Sequence, residues 1–219
     1  MFKLPVYFIS DNHFKLKITF SEKKRRKYLY EVFKKIKETG GSLVIGGDFF
    51  DFWFYYPKMI PAGYSDIIEE LSELHKLGIQ IHYVLGNHDY WDFGYFNKKF
   101  NAIVYSKNLE MRNQDTKIQI CHGDGLLKND VGYRMMKKII RSQLCIFLFK
   151  KLNPYLGYWL AQRFSRASES YNHHDAKSES IKKEMIQYAR NQWNAGFTSI
   201  LLGHYHQTGI IEENGKYLI

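Results

Sequence analysis

The sequence is poor in cysteine: only Cys121 and Cys145 occur in 219 residues. That excludes a disulfide scaffold and fits a reducing compartment. Long apolar runs are missing too. The longest strictly apolar run in the second half is Leu144–Phe149, far short of the roughly 18 to 20 residues that span a bilayer. The opening Met-Phe-Lys-Leu-Pro-Val lacks the apolar region and small-residue cleavage site of a signal peptide, so none is expected. There is no internal repeat and no low-complexity tract. Acidic residues are the minority, 22 against 32 Lys and Arg, for a net charge of +10. Such a balance suggests an anionic partner: nucleic acid, a phosphorylated substrate or an acidic membrane surface. What is present is globular in kind, with 45% hydrophobic and 25% charged residues. The length allows one large domain or two small ones. The 17 Tyr and 16 Phe hint at a large apolar surface or ligand site beyond an ordinary core.

The first half alternates strands and helices. Short apolar runs at Val6–Ser10, Ser42–Gly46, Ile79–Leu85, Lys117–Cys121 and Ser199–Leu202 read as buried strands. Helices are predicted over Ser21–Thr39, with Tyr28, Val32, Phe33 and Ile36 at helical spacing, and over Ser65–Leu77, with Ile68, Leu71, Leu74 and Leu77 on one face. Apolar strands alternating with helices imply an α/β layered fold, β-sheets flanked by helices. Residues 125–194 break the rhythm. They read as a helical insertion, or cap, of three helices, Val131–Lys151, Pro154–Ser165 and Ala176–Trp193, inside a single domain over 1–219. A hairpin, Gly209–Ile211 with Lys216–Ile219, turns at Asn214-Gly215. The chain stops directly after this apolar strand, which fits a sheet that gains strands in a longer chain.

Polar groups recur straight after the strands: Asp11 and His13; Asp48 and Asp51; Asn87, His88 and Asp89; His122 and Asp124; His204 and His206. In open α/β sheets, ligands bind outside the carboxyl ends of the strands. Five such ends would gather these side chains in one crevice. Carboxylate, imidazole and amide oxygen without thiolate suit Mn²⁺, Fe²⁺, Zn²⁺ or Mg²⁺ rather than a structural zinc site. The donors suffice for two ions if one carboxylate bridges them, and Asp48, at the central strand end, is the natural bridge. Two divalent ions against the carboxylates of Asp11 and Asp48 leave a net positive site that attracts phosphate. Two ions roughly 3.5–4 Å apart can activate water and stabilise a leaving oxygen.

The order D-N-H (11–13), G-G-D-F-F-D (46–51), G-N-H-D (86–89), H-G-D (122–124) and G-H-Y-H (203–206) resembles the calcineurin-like metallophosphoesterase superfamily across nearly the whole chain. The resemblance implies two divalent metal ions, with manganese the expected identity. It assigns Asp11, His13, Asp48 and His206 to one ion and Asp48, Asn87, His122 and His204 to the other. It makes His88 the histidine that contacts the scissile phosphate and protonates the leaving oxygen, with Asp51 orienting it.

Within the superfamily, H-G-D-G-L-L-K-N-D-V-G-Y (122–133) and F-F-D-F-W (49–53) are similar to the UDP-2,3-diacylglucosamine pyrophosphohydrolases of lipid A biosynthesis. That likeness implies cleavage of an acylated UDP-sugar, with Asp130, Tyr133, Ser168, Asn172 and Lys177 contacting the substrate. His88, where many of these enzymes carry Arg, follows the wider superfamily pattern. A cap rich in Phe, Leu, Trp and Tyr suits acyl chains, and its Lys and Arg suit anionic headgroups. The expected place is therefore cytoplasmic, peripheral to the inner membrane. Nucleic acid is disfavoured as a partner, because the basic residues cluster with large apolar ones. The rival readings are another phosphodiesterase or phosphatase on a nucleotide or nucleic acid, and a metal-stabilised scaffold. The intact His set argues against the scaffold. Outside the motifs, His75, His82 and Cys121 read as structural, and His173-His174 as a solvated pair. Lys23–Lys27 reads as a solvated basic face, with attraction to a membrane or to phosphate as the alternative, and Asp124 as a turn cap or a partner of His122.

Overall fold

The computed structural model describes residues 2–57, 59–113, 116–128, 130–171 and 175–219, with the side chains of 164–171 and 175–177 left aside. The chain divides into two compact units. One is Met1–Met111 with Ile120–His122; the other is Arg112–Gln119 with Gly123–Ile219.

The first unit opens with β1 (Val6–Ile9), α1 (Phe20–Thr39) and β2 (Ser42–Ile45). It continues through α2 (Ser65–Lys76), β3 (Gln80–Val84), α3 (Tyr95–Phe100) and β4 (Ile103–Tyr105). All four strands are parallel, in the order β1-β2-β3-β4. Leu43, Val44 and Ile45 of β2 are fully buried, as expected of an inner strand covered on both faces. The register sets Ile9 beside Ile45 and Ile45 beside Tyr83. The carboxyl ends of three strands are therefore level, and the segments that follow them leave from one edge.

The helices obey their periodicity, with one correction each. In α1 the buried positions are Glu22, Arg26, Leu29, Phe33 and Ile36, whereas Tyr28 and Val32 face solvent. The buried stripe is rotated from the expected one because its first turns carry charge. Arg26 donates to Asp66 of α2 at 2.6 and 2.8 Å and to Glu22 at 3.2 Å. In α2, Ile67, Ile68, Leu71 and Leu74 are buried, but Leu77 lies past the helix end and is exposed. Much of the aromatic excess goes into this unit's core, where Phe49, Phe50, Trp53, Tyr64, Tyr83 and Phe96 are fully buried. Most of these rings meet edge-on or tilted, as in Phe50–Tyr64 at 4.6 Å and Phe49–Phe50 at 5.1 Å, while Tyr83 stacks on Phe96 at 4.6 Å.

The second sheet runs β5-β6-β7-β9-β8, with β5 at Leu109–Asn113, β6 at Thr116–Cys121, β7 at Ser199–Leu202, β8 at Ile211–Glu213 and β9 at Lys216–Leu218. The β8–β9 hairpin turns on Asn214 and Gly215, both at positive φ (52° and 73°), as a two-residue turn of this kind requires. Between β6 and β7 lie α4 (Val131–Ile140), α5 (Gln143–Lys151), α6 (Pro154–Tyr171) and α7 (Asp175–Asn194). The single helix expected over Val131–Lys151 is thus two. Ser142 is extended and caps the second of them, its hydroxyl accepting from the Cys145 N–H at 3.3 Å.

Candidate metal centre

The strand-end segments of the first unit are tied to each other by main chain. The N–H groups of Asp11, His13 and Phe14 donate to the carbonyls of Gly47, Asp48 and Phe49 at 3.0, 2.9 and 3.0 Å. Asp11, His13 and Asp48 all hold left-handed backbone, with φ of 52°, 44° and 49°. Such strain in non-glycine residues persists only where the surroundings over-determine it, and it clusters at functional sites. Gly86 makes the closest approach feasible: a Cβ there would stand 2.1 Å from Oδ1 of Asp48.

Asp48 is the centre of the arrangement and is 1% exposed. Its Oδ1 accepts the His88 N–H at 2.8 Å. Its Oδ2 faces three imidazoles, at 3.2 Å from Nε2 of His122, 3.7 Å from His13 and 4.0 Å from His88. Burial pushes this carboxyl up, but His122, His88 and His13 together reverse the effect and hold it well below the usual carboxylate range. Asp48 is therefore an anion at neutral pH.

The donor set fits a divalent cation. Nδ1 of His122 lies 3.1 Å from the Gly46 carbonyl, and its Nε2 lies 3.0 Å from Oδ1 of Asn87 as placed. With Nδ1–H donated to Gly46, Nε2 turns a lone pair toward two oxygens that only accept. A cation at that point satisfies all three atoms. Oxygen and imidazole donors without thiolate suit Mn²⁺, Fe²⁺, Zn²⁺ or Mg²⁺.

Asp51 meets His88 through its main chain. Nδ1 of His88 lies 2.5 Å from the main-chain oxygen of Asp51. Donation to that carbonyl leaves Nε2 as the nitrogen open to chemistry. Ligand atoms of His13, Asp51 and His88 all lie within 4.8 Å of one another.

Asp89 closes the G-N-H-D motif but lies behind the ligands. It is fully buried and accepts three hydrogen bonds: from Gly86 N–H at 2.7 Å, Phe49 N–H at 2.9 Å and the Tyr83 hydroxyl at 2.6 Å. It therefore ties the segment carrying Asn87 to the residue after Asp48. Burial, then the nearby Asp48 charge, pushes its carboxyl up to about 6.

In the second unit His204 and His206 follow β7, both in left-handed backbone with φ of 69° and 51°. Tyr205 between them is anchored. Its hydroxyl accepts from the N–H groups of Leu126 and Leu127 at 3.1 and 3.2 Å and donates to Asp130 at 3.2 Å. The Tyr133 ring lies 5.5 Å from that of His204, and its hydroxyl donates to Asp124 at 3.2 Å. This unit thus gathers Asp130 and Tyr133 around the G-H-Y-H segment. Asp124 itself pairs with Lys137 at 2.6 Å and Arg141 at 3.2 Å. Asn172, His173 and His174 lie outside the described residues, as do the side chains of Ser168 and Lys177.

Comparison with known proteins agrees with these motifs. The family model described as "Calcineurin-like phosphoesterase" matches residues 4–208. A "UDP-2,3-diacylglucosamine hydrolase" of Porphyromonas gingivalis is 25% identical over 75% of this chain and 64% of its own length, so less than two thirds of that protein is spanned. Proteins of the same name from Proteus mirabilis and Histophilus somni are 27% and 22% identical, over 80% and 93% of this chain and 73% and 85% of their own.

Proposed function

Because the chain belongs to the calcineurin-like phosphoesterase family and is a hydrolase, we propose that it cleaves the pyrophosphate of UDP-2,3-diacylglucosamine, releasing UMP and 2,3-diacylglucosamine 1-phosphate. The observation that carries the reading is the meeting of three imidazoles on Oδ2 of the buried anion Asp48. The relatives named for this substrate support its identity. In this reading Asp11, His13, Asp48 and His206 hold one ion, and Asp48, Asn87, His122 and His204 the other, with Mn²⁺ as the metal. When bound, such a pair lowers the pKa of a water and draws charge from the phosphate oxygens. His88 delivers a proton from Nε2 to the leaving oxygen. The Asp51 carbonyl holds Nδ1–H and so fixes which nitrogen serves. Asp130, Tyr133, Ser168, Asn172 and Lys177 are assigned to the sugar phosphate.

The acyl chains are assigned to the helical cap, 125–194. Among the described residues no helix is long and apolar enough to cross a membrane. Yet α4 and α5 bury no residue. Their polar side is engaged instead: Arg134 donates to the carbonyls of Gly125 and Lys128 at 3.3 and 2.9 Å, and Lys137 and Arg141 hold Asp124. Met135, Ile139, Leu144 and Phe147 stay 56–68% exposed. An apolar patch of this kind, flanked by Lys138, Lys150 and Lys151, suits acyl chains and an anionic bilayer. The proposed location is cytoplasmic, peripheral to the inner membrane.

The test is turnover with Mn²⁺ on three substrates: the acylated UDP-sugar, a cyclic nucleotide and single-stranded DNA. The acylated UDP-sugar should be the preferred substrate. Preference for either of the others would replace the substrate assignment while leaving the hydrolase in place.

A further inference from the structure

The first two turns of α1 carry the run Lys23-Lys24-Arg25-Arg26-Lys27, which reads in sequence as a solvated basic face. Two of its members do something else. Arg26 is 2% exposed and Arg25 is half-buried. Both reach the segment 11–15, which carries Asp11 and His13.

Glu22 organises them. Thr19 caps α1, accepting the Glu22 N–H at 3.3 Å, and Glu22 stands three residues on, where a capping-box glutamate would reach back to the cap residue's own N–H. Here that N–H donates to the Lys17 carbonyl at 3.0 Å instead. The Glu22 carboxylate, also buried, accepts the Lys15 N–H at 3.0 Å, Nε of Arg26 at 3.2 Å and a guanidinium N–H of Arg25 at 2.9 Å. Arg25 in turn donates to the carbonyls of Asn12 and His13 and lies over the Phe14 ring at 5.3 Å. Arg26 donates to the Lys15 carbonyl at 2.7 Å while Asp66 holds its other side. Main chain from Gly47 to Phe49 grips one edge of the 11–15 segment, and these side chains grip the other.

We infer that Glu22, Arg25 and Arg26 are positioning residues for the metal ligands Asp11 and His13: the two arginines, held by Glu22, clamp the carbonyls of Asn12, His13 and Lys15, so that the left-handed residues Asp11 and His13 present a carboxylate and an imidazole at a fixed separation. The inference rests on the metal-centre reading above. Left-handed backbone at Asp11 and His13 opens readily once its carbonyls lose their donors. Groups that orient metal ligands typically govern affinity by 10–100-fold.

Charge gives the test its sign. Removing a cation near a dication site, by Coulomb's law alone, tightens metal binding. Removing a positioning cation loosens it. The experiment is calorimetric titration of Mn²⁺ into chelator-stripped full-length protein for wild type, Arg25→Ala, Arg25→Lys, Glu22→Gln and Lys24→Ala. Thermal melts in chelator confirm that each variant is folded. Arg25→Ala should weaken Mn²⁺ binding by about 10-fold or more, with Arg25→Lys intermediate, because an ammonium keeps charge and donors but lacks the rigid planar fork that spans both carbonyls. Lys24→Ala, which removes an exposed charge from the same run, should leave the affinity unchanged or raise it. Should Glu22→Gln fail to fold, the Arg25 pair decides. Unchanged or tighter binding in folded Arg25→Ala overturns the inference while the metal centre stands. A wild type that binds no Mn²⁺ overturns the metal centre itself, and the inference with it.

Discussion

Oδ2 of Asp48 lies 3.2 Å from Nε2 of His122, and both side chains are 2% exposed. A buried carboxylate this close to a buried imidazole nitrogen needs a positive charge between them. A divalent ion held between the two meets that need. Asp48→Asn removes the charge and one acceptor at the point where His122, His13 and His88 meet. Turnover of every phosphodiester tested should fall by more than about 100-fold, beyond the loss seen when only an orienting group is removed. Manganese retained per chain after desalting, measured by elemental analysis, should fall in parallel. Retention of full metal and activity would remove Asp48 from the centre.

Asp89 supports that centre from behind. Its substitution by Ala strands three buried donors, on Gly86, Phe49 and Tyr83. An unsatisfied buried donor costs about 1–3 kcal/mol. Asp89→Ala should therefore lower unfolding free energy by about 3 kcal/mol or more, and Asp89→Asn by less, since the amide keeps one acceptor oxygen. Urea denaturation of chelator-treated protein measures both. Equal stability of the two variants would mean that the carboxylate's acceptors do not hold this corner together.

How much of this was legible follows from where each signal is stored. Strands packed in a core are short apolar runs that stop abruptly, so β1, β2, β3, β6 and β7 could be read locally, together with the polar residues after them. β4 and β5 could not. The first has three residues and the second is Leu-Glu-Met-Arg-Asn, whose pairing is decided by neighbours rather than by its own pattern. The break at Ser142 hid inside one continuous amphipathic stretch. At the centre, ligand types at strand ends were visible, and the structure brings Asp48, His13, Asn87, His88 and His122 together. Asp89, Tyr205 and Arg25 were not visible as participants, because their roles are hydrogen bonds to main chain distant in sequence. The buried Glu22 and Arg26 ran against hydrophobic periodicity altogether.

In the proposed function the exposed apolar side of α4 and α5 binds the acyl chains without taking part in the chemistry. Ile139→Ser with Phe147→Ser changes residues that are 59% and 56% exposed, so the fold should tolerate the pair. Each apolar side chain buried against an acyl chain is worth about 1.5–3 kcal/mol. KM for the acylated UDP-sugar should rise by about 10-fold or more, and flotation with anionic vesicles should weaken. A small chromogenic phosphodiester should be hydrolysed at the wild-type rate. Equal loss on both substrates in a folded protein would count against the acyl role.

His82 carries a prediction about stability that is independent of the metal centre. It is 3% exposed on β3, stacks on Phe2 at 4.1 Å and meets the Tyr105 hydroxyl through Nδ1 at 3.0 Å. Its Nε2 is buried with no hydrogen-bond partner among the described residues. Burial accordingly lowers its pKa from 6.5 to about 4. Between those values the unfolded chain binds a proton that the folded chain refuses. The stabilising contribution is complete above pH 6.5 and is lost as pH falls toward 4, at about 1.4 kcal/mol per pH unit. His82→Phe keeps the stacked ring without the titration. The stability difference between wild type and His82→Phe, from urea midpoints, should shift against wild type by about 2 kcal/mol between pH 7 and pH 5. A difference that stays flat across that window would show that the imidazole is protonated in the fold as readily as outside it.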